Sequence, residues 1–189
     1  AAALPLAGVS ALQAIEEHIN VQNGHKILIH GGAGGIGSIA IQLAKMHGAY
    51  VATTVGAESF EFVKQLGADE VINYKGQKFE EIVKDYDGVF DTVGGEVINK
   101  SFAVLKKDGI LVTMAGMPDQ NSAKQLGIRV LGQQTSVVTE KLNRLTDLVD
   151  GGKIKVQVDK VFPFEQIKQA FDFFEKDHPK GKVVVICKG

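Results

Sequence analysis

The sequence predicts an α/β domain: a doubly wound, mainly parallel six-stranded sheet with helices on both faces. Three observations predict it. Short β-rich runs alternate with helical patterns over most of the chain, the sign of parallel strands joined by crossover helices. A glycine-rich run, Gly31 to Gly37, stands directly between one such strand and one such helix. The 189 residues, 44% apolar and 23% charged, fill one core of ordinary size and do not suffice for a two-domain enzyme of usual proportions.

The strands are expected at 26–30, 50–54, 70–73, 88–91, 110–114 and 129–133. In the first two, KILIH and YVATT, the apolar, β-branched character is nearly continuous, which suits strands covered on both faces. Helices are expected at 37–47, 59–66, 79–84 and 95–105. Ile36, Ile39, Ala40, Leu43 and Ala44 give the first of these an apolar stripe wide enough to lie on a sheet. After Gln134 the alternation loosens. A helix with Leu142, Leu145, Leu148 and Val149 on one side ends at Gly151-Gly152, where glycine can take the left-handed cap. A strand-like KIKVQVDKVF follows, then Pro163 opening a helix with Ile167, Ala170, Phe171 and Phe174 at helical spacing, then a strand KVVVI.

Composition excludes several functions. A formal charge of −1 provides no basic field for nucleic acid or for an anionic membrane surface. Ile27 to Ala44 runs uncharged for 18 residues, long enough to raise a membrane span. Its five glycines would cost a helix about 5 kcal/mol relative to alanine, so a strand, a loop and a new helix fit better. The single Cys187 excludes an internal disulfide and any multi-Cys zinc site, and fits a reducing, cytoplasmic setting. In its valine-rich strand, with no His or Lys to activate it, it reads as a buried structural thiol. The five histidines show no metal-site spacing. The N-terminus has no signal-peptide layout and begins abruptly, as if cut from a longer chain.

Gly32-Ala33-Gly34-Gly35-Ile36-Gly37 fulfils GxGxxG in the strand–loop–helix context that gives this otherwise weak pattern its meaning, the binding of a dinucleotide. Gly32 is expected to permit the tight turn, Gly34 to let the backbone approach a pyrophosphate, and Gly37 to allow close packing of helix on strand. Gly35 and Ile36 lie between them, and the amides and dipole at the helix start stabilise the anion. The same letters match the first six positions of a Walker A loop, but Ser38-Ile39 stands where Lys-Ser/Thr is required. Tyr74 and Lys78 have the YxxxK spacing of short-chain dehydrogenases yet come just after the third strand, too early for that catalytic helix. An NAD-selective domain usually places Asp or Glu at the end of the second strand. Here Thr53-Thr54 ends it, so a 2′-phosphate is acceptable at Thr54 and NADP(H) is preferred.

LPLAGVSALQAI, ILIHGGAGGIGSIAIQLAK, LGADEVINY, VFDTVGGE, FPFEQIKQAF and GKVVV together resemble the quinone oxidoreductase (zeta-crystallin-like) branch of the medium-chain dehydrogenase/reductase family, over essentially the whole chain. The resemblance implies that 1–152 form the nucleotide-binding domain. It further implies that 153–189 return toward an N-terminal barrel-like substrate domain, which has no counterpart before Ala1. It places Gly56, Ser59 and Tyr74 around the 2′-phosphate, with Phe60 where the branch commonly has a lysine and Lys64 as a substitute one turn on. Thr92 and Val93, in DTVGG, and Ala115 and Gly116, in MAGMP, would lie at strand ends near the cofactor, and Ser10, near the start of the first helix, would approach the nicotinamide or cap that helix. Zinc alcohol dehydrogenases of the wider family have a Cys ligand near Leu6-Ala7-Gly8, and none stands here.

The implied reaction is hydride transfer from NADPH to quinones or α,β-unsaturated carbonyls without a metal. No residue is assigned as general acid, because none of Tyr50, Tyr74 and Tyr86 has a convincing Lys or His partner. The alternative is a non-catalytic NADP(H)-binding sensor or crystallin-like protein. The strand at 129–133 would end the sheet as an open edge, and with the resemblance this implies a homodimer joined through it.

Overall fold

The computed structural model describes residues 2–187. Its main sheet holds six parallel strands in the order β3-β2-β1-β4-β5-β6: β1 Lys26–His30, β2 Tyr50–Val55, β3 Glu70–Asn73, β4 Tyr86–Asp91, β5 Leu105–Thr113 and β6 Arg129–Gly132. The order reverses between β1 and β4, which both start from the middle of the sheet and run the same way. At such a switch point the two crossovers leave on opposite faces and a crevice opens beyond the carboxyl ends. The apolar runs form the central strands: all of β1 beyond Lys26 and all of β2 beyond Tyr50 are buried. No helix is long and apolar enough to cross a membrane, since Ile27 to Ala44 divides into β1, the glycine loop and most of α2 Gly37–Met46.

Two clusters flank the sheet. One gathers Val9, Leu12 and Ile15 with Ile39, Leu43, Ile29 and Leu145; the other gathers Leu28, Phe79, Val89, Phe102 and Leu111. They are supplied on one side by α1 Pro5–Leu12 with the π-helical segment Gln13–His18 that continues it, α2 and α7 Thr139–Asp150, and on the other by α4 Phe79–Ile82, α5 Glu96–Lys100 and α6 Gln120–Leu126. The remaining helices are α3 Phe60–Gln65, following a 3-10 turn over Ala57–Ser59, and α8 Ile167–Lys176. The left-handed residue closing α7 is Gly152, with φ of 66°.

Several expected boundaries move. β5 begins at Leu105, not at 110, because Leu105 pairs with Tyr86 across an irregularity in the ladder, with Lys106 paired to Asp87 and Asp108 at φ 64°. A charged KKDG stretch reads as a turn, whereas here it is a bent strand edge. The helix expected over 95–105 accordingly stops earlier, as α5 and a 3-10 turn Ser101–Val104. α6, capped by the Asp119 side chain on the Asn121 amide and closed by Gly127 at φ 67°, is short and polar and had no apolar signature. The last strand pair also shifts. β7 covers Val158–Pro163, so KIKVQVDKVF is strand only from Val158, and Pro163 both ends β7 and caps the 3-10 turn Phe164–Gln166 that leads into α8. Proline is tolerated at a strand terminus, where its missing N–H leaves no ladder gap. β7 pairs in parallel with β8 Lys182–Ile186, forming a separate two-stranded sheet under α8. Cys187, just past β8, is exposed and not a buried structural thiol, because this small sheet is covered on only one face.

Candidate cofactor site

The carboxyl ends of β1, β2 and β4 bring His30, Thr54 and Asp91 into register. Beyond them lies a cleft of about 580 Å³. Gly34, Gly35, Ile36, Thr54, Gly56, Ser59, Tyr74, Thr92 and Val93 all line it, so nine of the residues singled out in sequence converge there from four loops.

The glycine loop has a division of labour different from the expected one. The left-handed turn is at Gly31, φ 76°, not at Gly32. Gly32 instead must lack a side chain because a Cβ would overlap the Thr53 hydroxyl, itself donating to the Ile29 carbonyl at 2.7 Å. At Gly37 a Cβ would overlap the Gly31 carbonyl and lie 2.8 Å from Gly32 Cα, so the absence of that carbon lets α2 close on the loop. Gly32 and Gly37 therefore shape the loop from behind and do not line the cleft. The amides of Gly31 and Gly32 donate to the Thr54 carbonyl, and that of Gly34 to Gly31. Those of Gly35 and Ile36 have no protein acceptor among the described residues, which leaves two donors at the start of α2 for an anion.

Asp91 is fully buried beneath the DTVGG turn. Its carboxylate accepts from the Val93 and Gly94 amides at 2.9 and 3.1 Å and from the Thr113 hydroxyl at 2.7 Å, tying the ends of β4 and β5 together. Thr92 donates to the His30 carbonyl at 2.8 Å and so crosses from the turn to β1. Ala115 and Gly116 follow β5 as expected but do not line the cleft. Gly94 and Ala115 are in backbone contact, a Gly94 Cβ lying 2.8 Å from Ala115 Cβ, so the two loops pack on each other beside it.

Ser10 lies just past the first turn of α1 and caps nothing. Its hydroxyl donates back to the Leu6 carbonyl and meets the Thr135 hydroxyl at 2.7 Å, while Gln133 Nε2 donates to the Ser10 carbonyl. It pins α1 to the chain after β6, outside the cleft. Lys64 does not reach the site either: its ammonium donates to the Asp69 carbonyl at 2.7 Å, away from the cleft. Tyr50 and Tyr86 begin β2 and β4, at the opposite end of the sheet. Burial, and then the Glu70 carboxylate they share, push both phenols above the ordinary range.

Three features had no sequence signal strong enough to find them. His30, the last residue of β1, is 1% exposed and spans Thr54 and Ser101 with its two ring nitrogens. Glu58 lines the cleft four residues beyond the strand end at which an acidic selector was sought. The chain around β8 closes one wall: Gly181 N–H donates to the Ala33 carbonyl at 2.8 Å, and Phe174, His178 and Lys182 also face the cleft.

A parallel sheet of this strand order with a glycine loop at its switch point defines the class, a Rossmann-type α/β domain. A family described as zinc-binding dehydrogenase matches residues 66–185, and the chain belongs to that family, among the medium-chain dehydrogenase/reductases. It is 38% identical, over 98% of its length, to NADPH-dependent alkenal/one oxidoreductase, chloroplastic, of Arabidopsis thaliana, and 37% identical to 2-methylene-furan-3-one reductase of Solanum lycopersicum. The chain spans about half, 46%, of each of these relatives. Among solved structures, the quinone oxidoreductase from Coxiella burnetii superimposes with a TM-score of 0.92 at 35% identity, over 100% of this chain and 60% of that one. The Escherichia coli quinone oxidoreductase complexed with NADPH does so with a TM-score of 0.89 at 27% identity, over 99% of this chain and 64% of that one. The family's description names zinc. Among the described residues no three His, Cys, Asp or Glu side chains are grouped to hold a metal ion, so the donors present do not fit a zinc centre.

Proposed function

We propose that this chain is the NADP(H)-binding part of an oxidoreductase that reduces quinones or α,β-unsaturated carbonyls. The observation that carries the reading is the glycine loop with two unpaired amides at the head of a cleft that runs past Thr54, Gly56, Ser59 and Tyr74. A pyrophosphate fits the first part and an adenosine ribose the second. The relatives, an alkenal/one oxidoreductase, a 2-methylene-furan-3-one reductase and a quinone oxidoreductase complexed with NADPH, support the substrate class and the cofactor.

Bound NADPH supplies the hydride. The residues of this chain then bind and orient. Gly35 and Ile36 would donate to the pyrophosphate, Thr92 and Val93 line the cleft opposite the loop, and Asp91 keeps their turn rigid from below. Residues 153–189 are read as the segment that returns toward a substrate domain, because Phe164 in the turn before α8 and Ile167 and Phe171 on it are exposed, an apolar face of the kind a neighbouring domain covers. The domain occurs in relatives named chloroplastic and mitochondrial, so the fold assigns no compartment. A reducing one, such as the cytoplasm, fits the single cysteine.

Paired calorimetric titrations with NADPH and NADH test the cofactor reading, with NADPH expected to bind more tightly. Equal affinities would remove the 2′-phosphate selectivity, and binding of neither would remove the site. Reduction of 1,2-naphthoquinone by the protein joined to its substrate domain is expected, and NADPH binding without turnover there would instead support the sensor reading.

The sheet supports a homodimer through β6, whose outer edge pairs with no strand among the described residues. Sedimentation velocity is expected to show a dimer that Val130→Pro, which blocks edge pairing, converts to monomer. A monomer at every concentration would remove this proposal.

A further inference from the structure

The adenosine end of the cleft lacks the cation expected there. Phe60 is packed against the core, and Lys64 is turned to the Asp69 carbonyl. A different lysine stands at that end. Lys75 Nζ lies 3.5 Å from Glu58 Oε1 and 5.8 Å from the centre of the Tyr74 ring, and both partners line the cleft. The Glu58 carboxylate itself is drawn in against Gly56: a Cβ on that glycine would lie 2.6 Å from Glu58 Cδ. It stands beside Ser59, at the start of the helix that the 2′-position of a bound nucleotide would face. Its own backbone amide, outweighing the small opposing effect of burial, together with Lys75 and the nearby His178 holds the carboxyl below the ordinary range, so the group is an anion at neutral pH.

The geometry points to Glu58 and Lys75 as a two-residue selector of the cofactor's 2′-group, a proposal that rests on the NADP(H) reading above. Without a nucleotide the two neutralise each other. A ribose 2′-hydroxyl donates to the Glu58 carboxylate and leaves the pair intact. A 2′-phosphate repels that carboxylate and takes Lys75 in its place, aided by the Ser59 and Tyr74 hydroxyls. The preference for NADPH is then the difference between two opposed charges within reach of one site, and either can be removed alone. Both side chains are about half exposed, 49% for Glu58 and 53% for Lys75, so neither is needed to fill the core.

Titration of the chain with adenosine 2′,5′-bisphosphate and with AMP isolates this end of the cleft, and NADPH and NADH repeat the comparison on whole cofactors. Lys75→Gln is expected to weaken the bisphosphate and NADPH about tenfold, one charge-assisted bond being of that order, while AMP and NADH stay within about twofold. Lys75→Arg should restore the bisphosphate. Glu58→Gln should move the other way, tightening the bisphosphate by several-fold and weakening NADH. Melting temperatures of all three variants should stay within about 2 °C of the unmodified chain, as expected for exposed pairs. A K75Q variant that weakens AMP and bisphosphate alike, or neither, overturns the selector and leaves the cofactor site standing. If the unmodified chain binds none of the four ligands, the site and the selector fall together.

Discussion

Gly37→Ala is expected to lower NADPH affinity by more than tenfold and the melting temperature by roughly 2–12 °C, the range that 1–3 kcal/mol of overpacking produces in a domain of this size. Alanine would ordinarily favour a helix start by up to about 1 kcal/mol over glycine. That gain is outweighed here because the added carbon meets backbone: the Gly31 carbonyl and, at 2.8 Å, Gly32 Cα. Neither can rotate away. The loop must lift from α2, and the amides of Gly35 and Ile36 move with it. Gly35→Ala supplies the contrast. The three atoms nearest its new carbon all belong to the Lys182 side chain, Cδ at 2.8 Å and Nζ at 3.0 Å among them, and can swing clear. Thermal melts and calorimetric titration of both variants check this. A G37A chain that binds NADPH normally would show that the loop tolerates displacement and would sink the argument.

Stability is expected to fall by about 3 kcal/mol as pH drops from 6.5 to 4, through His30. Burial dominates and lowers this imidazole to about 4, while the Asp91 carboxylate opposes in part. The hydrogen bonds define the form that is held. Ser101 Oγ donates to the Val97 carbonyl, so it accepts from Nε2–H at 3.1 Å, and Nδ1 accepts from the Thr54 hydroxyl at 2.9 Å. The edge of the Phe79 ring stands 4.5 Å away between centroids. A second proton would force the Thr54 hydroxyl to turn from donor to acceptor and would place a charge in this buried site. Between the unfolded value near 6.5 and the folded one, the unfolded chain binds a proton that the native chain refuses, so stability is complete above pH 6.5, is lost on acidification and levels off below 4. At pH 5 about 2 kcal/mol should be gone.

Asp69 acts in a different window. Burial pushes its carboxyl up but is outweighed by Lys45 and the Val51 amide, so the group sits low, and its contribution is lost only as pH falls below the ordinary aspartate range. Denaturant titrations of the unmodified chain and of His30→Gln at pH 7.5, 6, 5 and 4.5 separate the two. The variant should be less stable at pH 7.5 and flatter below it; an equal slope in both would assign the acid sensitivity elsewhere. Since His30 holds Thr54 from beneath the cleft, the same protonation is expected to loosen the strand end that faces the cofactor.

The residues that read correctly share a physical reason. β1 and β2 are covered on both faces, so their apolar character is continuous and legible without knowing the neighbours. The glycine loop is legible because the close approaches of Gly32 and Gly37 are to the adjoining strand or within a few residues. The errors share a reason too. Lys106-Lys107-Asp108 reads as a turn because charge signals solvent, and only the pairing of Leu105 with Tyr86 and of Lys106 with Asp87 makes it strand. Lys64 has the right spacing for a phosphate ligand, but a lysine side chain turns freely, and the Asp69 carbonyl claims it. Cys187 sits in an apolar run whose sheet has only two strands, so the run does not imply burial.

The sequence by itself determined the class of fold, the place of the switch-point loop and the set of loops that meet there, because periodicity, glycine positions and strand ends are local properties. The tertiary structure decided which polar groups stand in or beside the cleft. Glu58, Lys75, His178 and Lys182 come from a turn, a strand end and the far end of the chain, and their distances depend on how β3 and β8 are laid beside the glycine loop. Electrostatic selection acts over a few ångströms in space, and no spacing along the chain records it.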